Sequence, residues 1–179
     1  MLKASPNSLA ATVDGRKLPP LLILKKKALP KSEAFPKDVI DRAQEKGWIT
    51  EELMLEWLKI IWGRRPTASL NQPSMLVLDA FKGHLTDSVK NQLRKMNIER
   101  VVILDGMTSV SQPMDVSINK PFKDGLRQQY LKWISDPARE LTETGKIKSA
   151  APSEVAWWVS AARKAIPESI SSDLSRSVA

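Results

Sequence analysis

Apolar residues in this chain come in short runs with two distinct spacings, and the spacings mark out its elements. "LAATV" (9–13) and "LPPLLIL" (18–24) read as strands, with "DGRK" between them. Asp-Gly is a strong turn signal, so these two runs predict a hairpin. The double proline puts the start of the second strand at an edge or bulge, because proline has no N–H for the ladder. "KKKALPKSEAFPKD" (25–38) is polar and broken by proline, and reads as a loop. Thr50 is placed to cap a helix over "EELMLEWLKIIW" (51–62), where Leu53, Met54, Trp57, Leu58 and Ile61 recur at helical spacing as a buried face.

The second half alternates strand and helix. "MLVLD" (75–79) and "VVIL" (101–104) are apolar runs suited to interior strands. A helix from near Thr86, with Val89 and Leu93 on one side, joins them, which predicts parallel neighbours in one sheet. Another helix begins near Asn119 and carries Phe122, Leu126, Tyr130 and Trp133. Residues 135–153 read as a linker or short helix. Pro152 then opens a last helix containing the adjacent Trp157 and Trp158, which cannot both face the core. The expected organisation is a disordered start over 1–8, a folded domain over 9–166 and a flexible Ser-rich tail over 167–179.

Composition narrows the function. The 179 residues suffice for one domain with a hydrophobic core. There is no cysteine, hence neither a disulfide framework nor a thiolate zinc site. No apolar run is long enough to span a bilayer, and the first residues lack a signal-peptide core, so no membrane partner is expected. No P-loop or dinucleotide fingerprint is present, and the lone histidine, His84, has no glycine-framed nucleophilic serine to serve. The formal charge of +8 favours a polyanionic partner. "KKK" at Lys25, Lys26 and Lys27 is a candidate phosphate contact; a solvated loop is the competing reading.

Candidate chemistry centres on acids at strand ends. Ligand sites in α/β sheets gather beyond the carboxyl ends of strands. Asp79 closes its strand there, and Asp115 follows the next strand through a loop into a helix. Two carboxylates brought together would suit a hard divalent cation, and each could equally be a helix cap or a surface group. Asp105 also ends a strand and reads as a turn cap.

Four strings carry a resemblance. "TVDGRKLPPLLILKKKALP", "WITEELMLEWL", "MLVLDAFKGHLTDSVKNQL" and "GMTSVSQPMDVSINKPFKDGLRQQY" resemble, in order, the DDE-type transposase domain of the pogo/Tigger group, which includes host proteins derived from such transposons. The resemblance implies an α/β, RNase H-like mixed sheet with flanking helices, nuclear localisation, and Mg²⁺- or Mn²⁺-dependent action on DNA. It places the family's second metal-binding catalytic Asp on Asp79 and its third on Asp115. His84, five residues after Asp79, is a candidate phosphate contact; fixing the local turn through backbone contacts is the competing and stronger reading. The first catalytic Asp of the family lies on a central strand upstream of the hairpin and has no counterpart here; Asp14 sits in the hairpin turn and does not match it. The family's helix-turn-helix reader is absent as well. The expectation is therefore a sheet lacking its first central strand, DNA bound mainly through its backbone, and no efficient cleavage. A structural fragment that binds a protein partner is the alternative. Ser111, where the family commonly has Leu, is expected to loosen the loop that carries Asp115.

Overall fold

The computed structural model describes residues 4–12, 14, 16–65, 68, 72–79, 86–103 and 115–167. Three strands form one sheet: β1 (Ala4–Ser8), β2 (Leu21–Lys25) and β3 (Ile40–Gln44), with β2 in the middle. β1 runs antiparallel to β2 and β3 runs parallel to it. A second, two-stranded sheet pairs β4 (Ser74–Asp79) with β5 (Ile98–Ile103) in parallel register, Val77 opposite Val101 and Asp79 opposite Ile103. Among the described residues the α-helices are α1 (Glu51–Ile60), α2 (Asp87–Lys95), α3 (Lys120–Ile134) and α4 (Pro152–Ala165).

The fold is α/β with helices against the sheets, and β4 and β5 are the parallel neighbours expected. The hairpin differs in two respects. It belongs to the three-stranded sheet rather than standing beside β4 and β5, and its first strand lies upstream of the expected 9–13. Between Ala10 and Leu18 the reversal is held by the Leu18 N–H to the Ala10 carbonyl and the Thr12 N–H to the Arg16 carbonyl, both 2.9 Å, with a single bridge from Ala11 to Lys17. Pro19 and Pro20 offer no N–H, so the ladder breaks there and resumes at Leu21, with a register shift opposite Pro6–Ser8. Residues 4–8, expected to precede the folded domain, thus supply its edge strand. Residues 135–153 form no separate helix; a bridge from Leu141 to Ile147 closes a small loop there instead.

β2 alternates between two cores. Leu21 and Ile23 point to one side, into a cluster with Met54, Trp57, Leu58 and Ile61 of the α1 region, Val89 and Leu93 of α2, Leu76 of β4 and Ile98 of β5. Leu22 and Leu24 point to the other, into a cluster with Phe122 of α3 and Val155, Trp158, Val159 and Ala162 of α4. A strand covered on both faces can be apolar at every position, which explains why "LLIL" does not alternate. Thr50 caps α1 as expected, its hydroxyl accepting from the Leu53 N–H at 3.4 Å. Asn97 takes a left-handed conformation (φ 53°) after α2, a shape that asparagine tolerates, and so turns the chain into β5. On α4, Trp158 is 6% exposed and Trp157 51%, the division that their adjacency requires.

The helices α3 and α4 pack on the three-stranded sheet. Met75, Val77 and Val101, on the face of β4–β5 turned away from the α1–α2 cluster, are exposed.

Candidate functional site

The strand-end acid and the helix-entry acid occupy the backbone positions that the sequence suggests. Asp79 is the last residue of β4, at the carboxyl edge of the parallel pair. Asp115 is the first residue of a π-helical turn, Asp115–Asn119, that runs directly into α3. Ile118 and Phe122, one turn apart, are both buried in the cluster beneath α4 and so anchor the start of α3. Pro121 stands at the second position of α3, which directly follows the π-helical turn. His84, Asp105 and Ser111 lie outside the described residues.

α3 carries a feature that sequence reading passed over. Lys120, Lys123 and Arg127, spaced i, i+3, i+7, share one exposed face of the helix. Asp124 stands 4.0 Å from Arg127, a loose surface pair that neutralises little. The charge pattern along 120–127 could have revealed this stripe. Lys25 ends β2, and Lys26 and Lys27 follow it in a bend, all three exposed.

Asp41 is another residue that the sequence did not single out. It is 8% exposed on β3, opposite Leu22, and its Oδ1 has no hydrogen-bond partner. Burial pushes its carboxyl up to about 6; the Arg42 charge pulls the other way, and Asp38 adds to the rise. Asp38 shows the opposite balance. Burial opposes its charge, but the Ser160 hydroxyl donates to its two oxygens at 2.9 and 2.8 Å and Lys164 pairs with it at 3.2 Å, and these hold it below the usual carboxylate range. On the other face of β3, the Arg42 guanidinium grips Glu56 of α1 in a forked ion pair, raising the Arg and lowering the Glu. These contacts fasten β3 between α1 and α4, and their arrangement is structural.

Mg²⁺ and Mn²⁺ take oxygen ligands, so aspartates are suitable donors. Among the described residues, however, no group of three or more His, Cys, Asp or Glu side chains is placed to hold a metal ion. No helix among the described residues is long and apolar enough to cross a membrane.

A mixed three-stranded sheet and a parallel strand pair, with helices packed against them, define an α/β domain. Residues 8–173 match the family described as DDE superfamily endonuclease, and the chain belongs to that family, as a pogo/Tigger-type domain. It is 43% identical over 140 residues to a Homo sapiens protein named "Pogo transposable element with KRAB domain", and 41% identical to the Mus musculus protein of that name. Each of those alignments covers 78% of this chain and 23% of the relative. A Homo sapiens "Pogo transposable element with ZNF domain" is 30% identical over 136 residues, which cover 76% of this chain and 9% of that protein. The chain thus spans under a quarter of the length of these relatives. No solved structure matches it.

Proposed function

We propose that this chain is a transposon-derived, DDE endonuclease-like domain that binds nucleic acid through its phosphate backbone and does not cleave DNA efficiently. The observation that carries this reading is the basic stripe Lys120–Lys123–Arg127, on the helix that Asp115 leads into. Cations at that spacing can each meet a phosphate, and the net charge of +8 adds long-range attraction. Lys25, Lys26 and Lys27 are secondary phosphate contacts. In this reading Asp79 and Asp115 are the family's second and third carboxylates and face one end of an RNase H-like sheet. Within these residues two of the family's carboxylates are matched, Asp79 and Asp115, and two alone do not fix two ions about a scissile phosphate. A nuclear location follows from a DNA partner.

The test is binding of a labelled duplex by the full chain across a salt series. Affinity should fall steeply with salt, with a log–log slope of about −0.9 per phosphate neutralised. The variant Lys120→Glu/Lys123→Glu/Arg127→Glu should bind more weakly and with a shallower slope. A slope that this triple variant leaves unchanged would remove the stripe from the interface. Absence of binding at low salt would favour a protein-interaction fragment, a reading for which the exposed Met75, Val77 and Val101 face supplies the motive.

A further inference from the structure

A cavity of about 430 Å³ opens on the side of the molecule where the end of β2, the last turns of α3, the 147–150 segment and the start of α4 meet. Its size falls within the range of ligand sites rather than packing defects. Aromatic rings form one wall. Tyr130, Trp133 and Trp158 stand with ring centres 5.5–6.3 Å apart, Trp158 meeting the other two edge-on. Leu24, Ile134 and Ile147 add aliphatic surface. Three lysines, Lys25, Lys26 and Lys148, complete the lining, and all three are exposed, which puts their ammonium groups at the mouth. Among the described residues no aspartate or glutamate lines the cavity itself; Glu140 pairs with Lys148 at its edge and Glu33 lies within the field of Lys26.

We infer that this cleft binds an acidic peptide segment of a partner protein, with one apolar side chain of the peptide seated on the Tyr130–Trp133–Trp158 wall and flanking carboxylates on Lys25, Lys26 and Lys148. Charge complementarity gives the sign of the ligand: Lys25, Lys26, Lys148 and Arg139, against Glu140 and Glu33, leave a surplus of positive charge around the cleft that favours an anion. The Lys148–Glu140 pair, 2.7 Å long and with both side chains largely exposed, is the kind of surface contact that a ligand carboxylate can replace at little cost. The wall fixes the rest. The Trp133 ring already carries the Arg139 guanidinium 3.4 Å from its centre and stacks with Tyr130. The aromatic surface is thus committed to neighbouring rings and to Arg139, and what it adds to the cavity suits an aliphatic or aromatic side chain inserted among edges better than a base laid flat. Apolar surface also continues past the mouth. Leu131 lies one turn from Ile134, and Leu141 bridges to Ile147; all three of Leu131, Leu141 and Ile147 are exposed. An extended peptide can cover such a strip, whereas a single nucleotide cannot. The site is separate from the α3 stripe, but it shares Lys25 and Lys26 with the secondary phosphate contacts of the DNA reading, so the two ligands would compete there.

The probe is a set of short fluorescein-labelled peptides of alternating Asp and Glu with a single central residue, either Leu, Phe or Ser, titrated with the full chain by fluorescence anisotropy. The Leu or Phe peptide should bind at least about tenfold more tightly than the Ser peptide. Lys25→Glu/Lys26→Glu should weaken it by a similar factor, and so should Ile147→Glu, a surface change that leaves the core intact. Equal binding of the Leu, Phe and Ser peptides would overturn the proposal, since the wall would then contribute nothing. Affinity unchanged in both variants would overturn it too, by placing the peptide elsewhere. A short thymidine oligonucleotide is the second arm. Binding of that oligonucleotide lost in Ile147→Glu, with no peptide binding, would make the cleft a nucleotide site and refute the peptide.

Discussion

Gly125 of α3 rests against Ala162 of α4 with no space for a side chain between them: a Cβ built on Gly125 would stand 3.1 Å from the Ala162 Cβ and 3.2 Å from its Cα. The close crossing lets Phe122 and Leu126 reach the cluster that holds Val159 and Ala162. Gly125→Val should therefore destabilise the protein by about 1–3 kcal/mol, as overpacking of a tight contact does. Gly125→Ala should gain less than the roughly 1 kcal/mol that replacing an unhindered helical glycine brings. Urea denaturation of both variants measures this, and a full propensity gain in Gly125→Ala would show that the helices can move apart freely.

Asp41 makes stability depend on pH in the direction opposite to most carboxylates. Its carboxyl titrates at about 6 in the folded chain, above the 3.8 of an unperturbed group, so the folded state holds the proton more tightly. Stability from this group is present below pH 4, falls as pH rises through the window from about 4 to 6, and is level above it. Asp41→Asn should remove that slope. The variant's stability relative to the parent should rise between pH 4 and pH 7 by on the order of 2 kcal/mol. Parallel curves for the two proteins in chemical denaturation would show that Asp41 ionises without strain.

Ser160 is 1% exposed and donates to Asp38, which also pairs with Lys164. Ser160→Ala leaves a half-satisfied carboxylate beside α4 and should cost about 1–2 kcal/mol at neutral pH. Because the Ser160 hydroxyl helps hold Asp38 below the usual range, the loss should be full at neutral pH and shrink as pH falls through the lowered Asp38 value. A loss independent of pH down to acid conditions would assign the effect to packing alone.

Cleavage is the prediction with the most direct bearing on function. Purified chain incubated with supercoiled plasmid in Mg²⁺ or Mn²⁺ should show no turnover above that of the double variant Asp79→Asn/Asp115→Asn. Cleavage that either single substitution abolishes would establish an active nuclease and displace the binding-only reading. Cleavage insensitive to both would identify a contaminant.

Much of this arrangement could be read from the chain because its strongest signals are periodic. The α1 face, the β4 and β5 runs, and the Phe122–Leu126–Tyr130–Trp133 stripe of α3 each carry enough apolar residues to define an element locally. β3 does not. "IDRAQ" has one strongly apolar residue, and it becomes a strand because β2 offers a parallel edge and Glu56 of α1 receives Arg42. β1, "ASPNS", is likewise polar, and is a strand only through pairing with β2. Tertiary partners decide such segments, and local propensity does not. The strand-end position of Asp79 was legible because it closes an apolar run. The cleft was not, since Leu24, Tyr130, Ile147 and Trp158 come from four separated stretches that only folding assembles.

β2 belongs to both cores at once, Leu21 and Ile23 to one and Leu22 and Leu24 to the other. Its amide protons should accordingly be the slowest in the chain to exchange with heavy water, because opening β2 requires both halves of the interior to come apart. A fluctuation that lifts α3 and α4 away, or one that releases α2 and β5, would leave the strand still covered on its remaining face. The protein then has two ways to open partly and one seam that yields only when the whole domain unfolds.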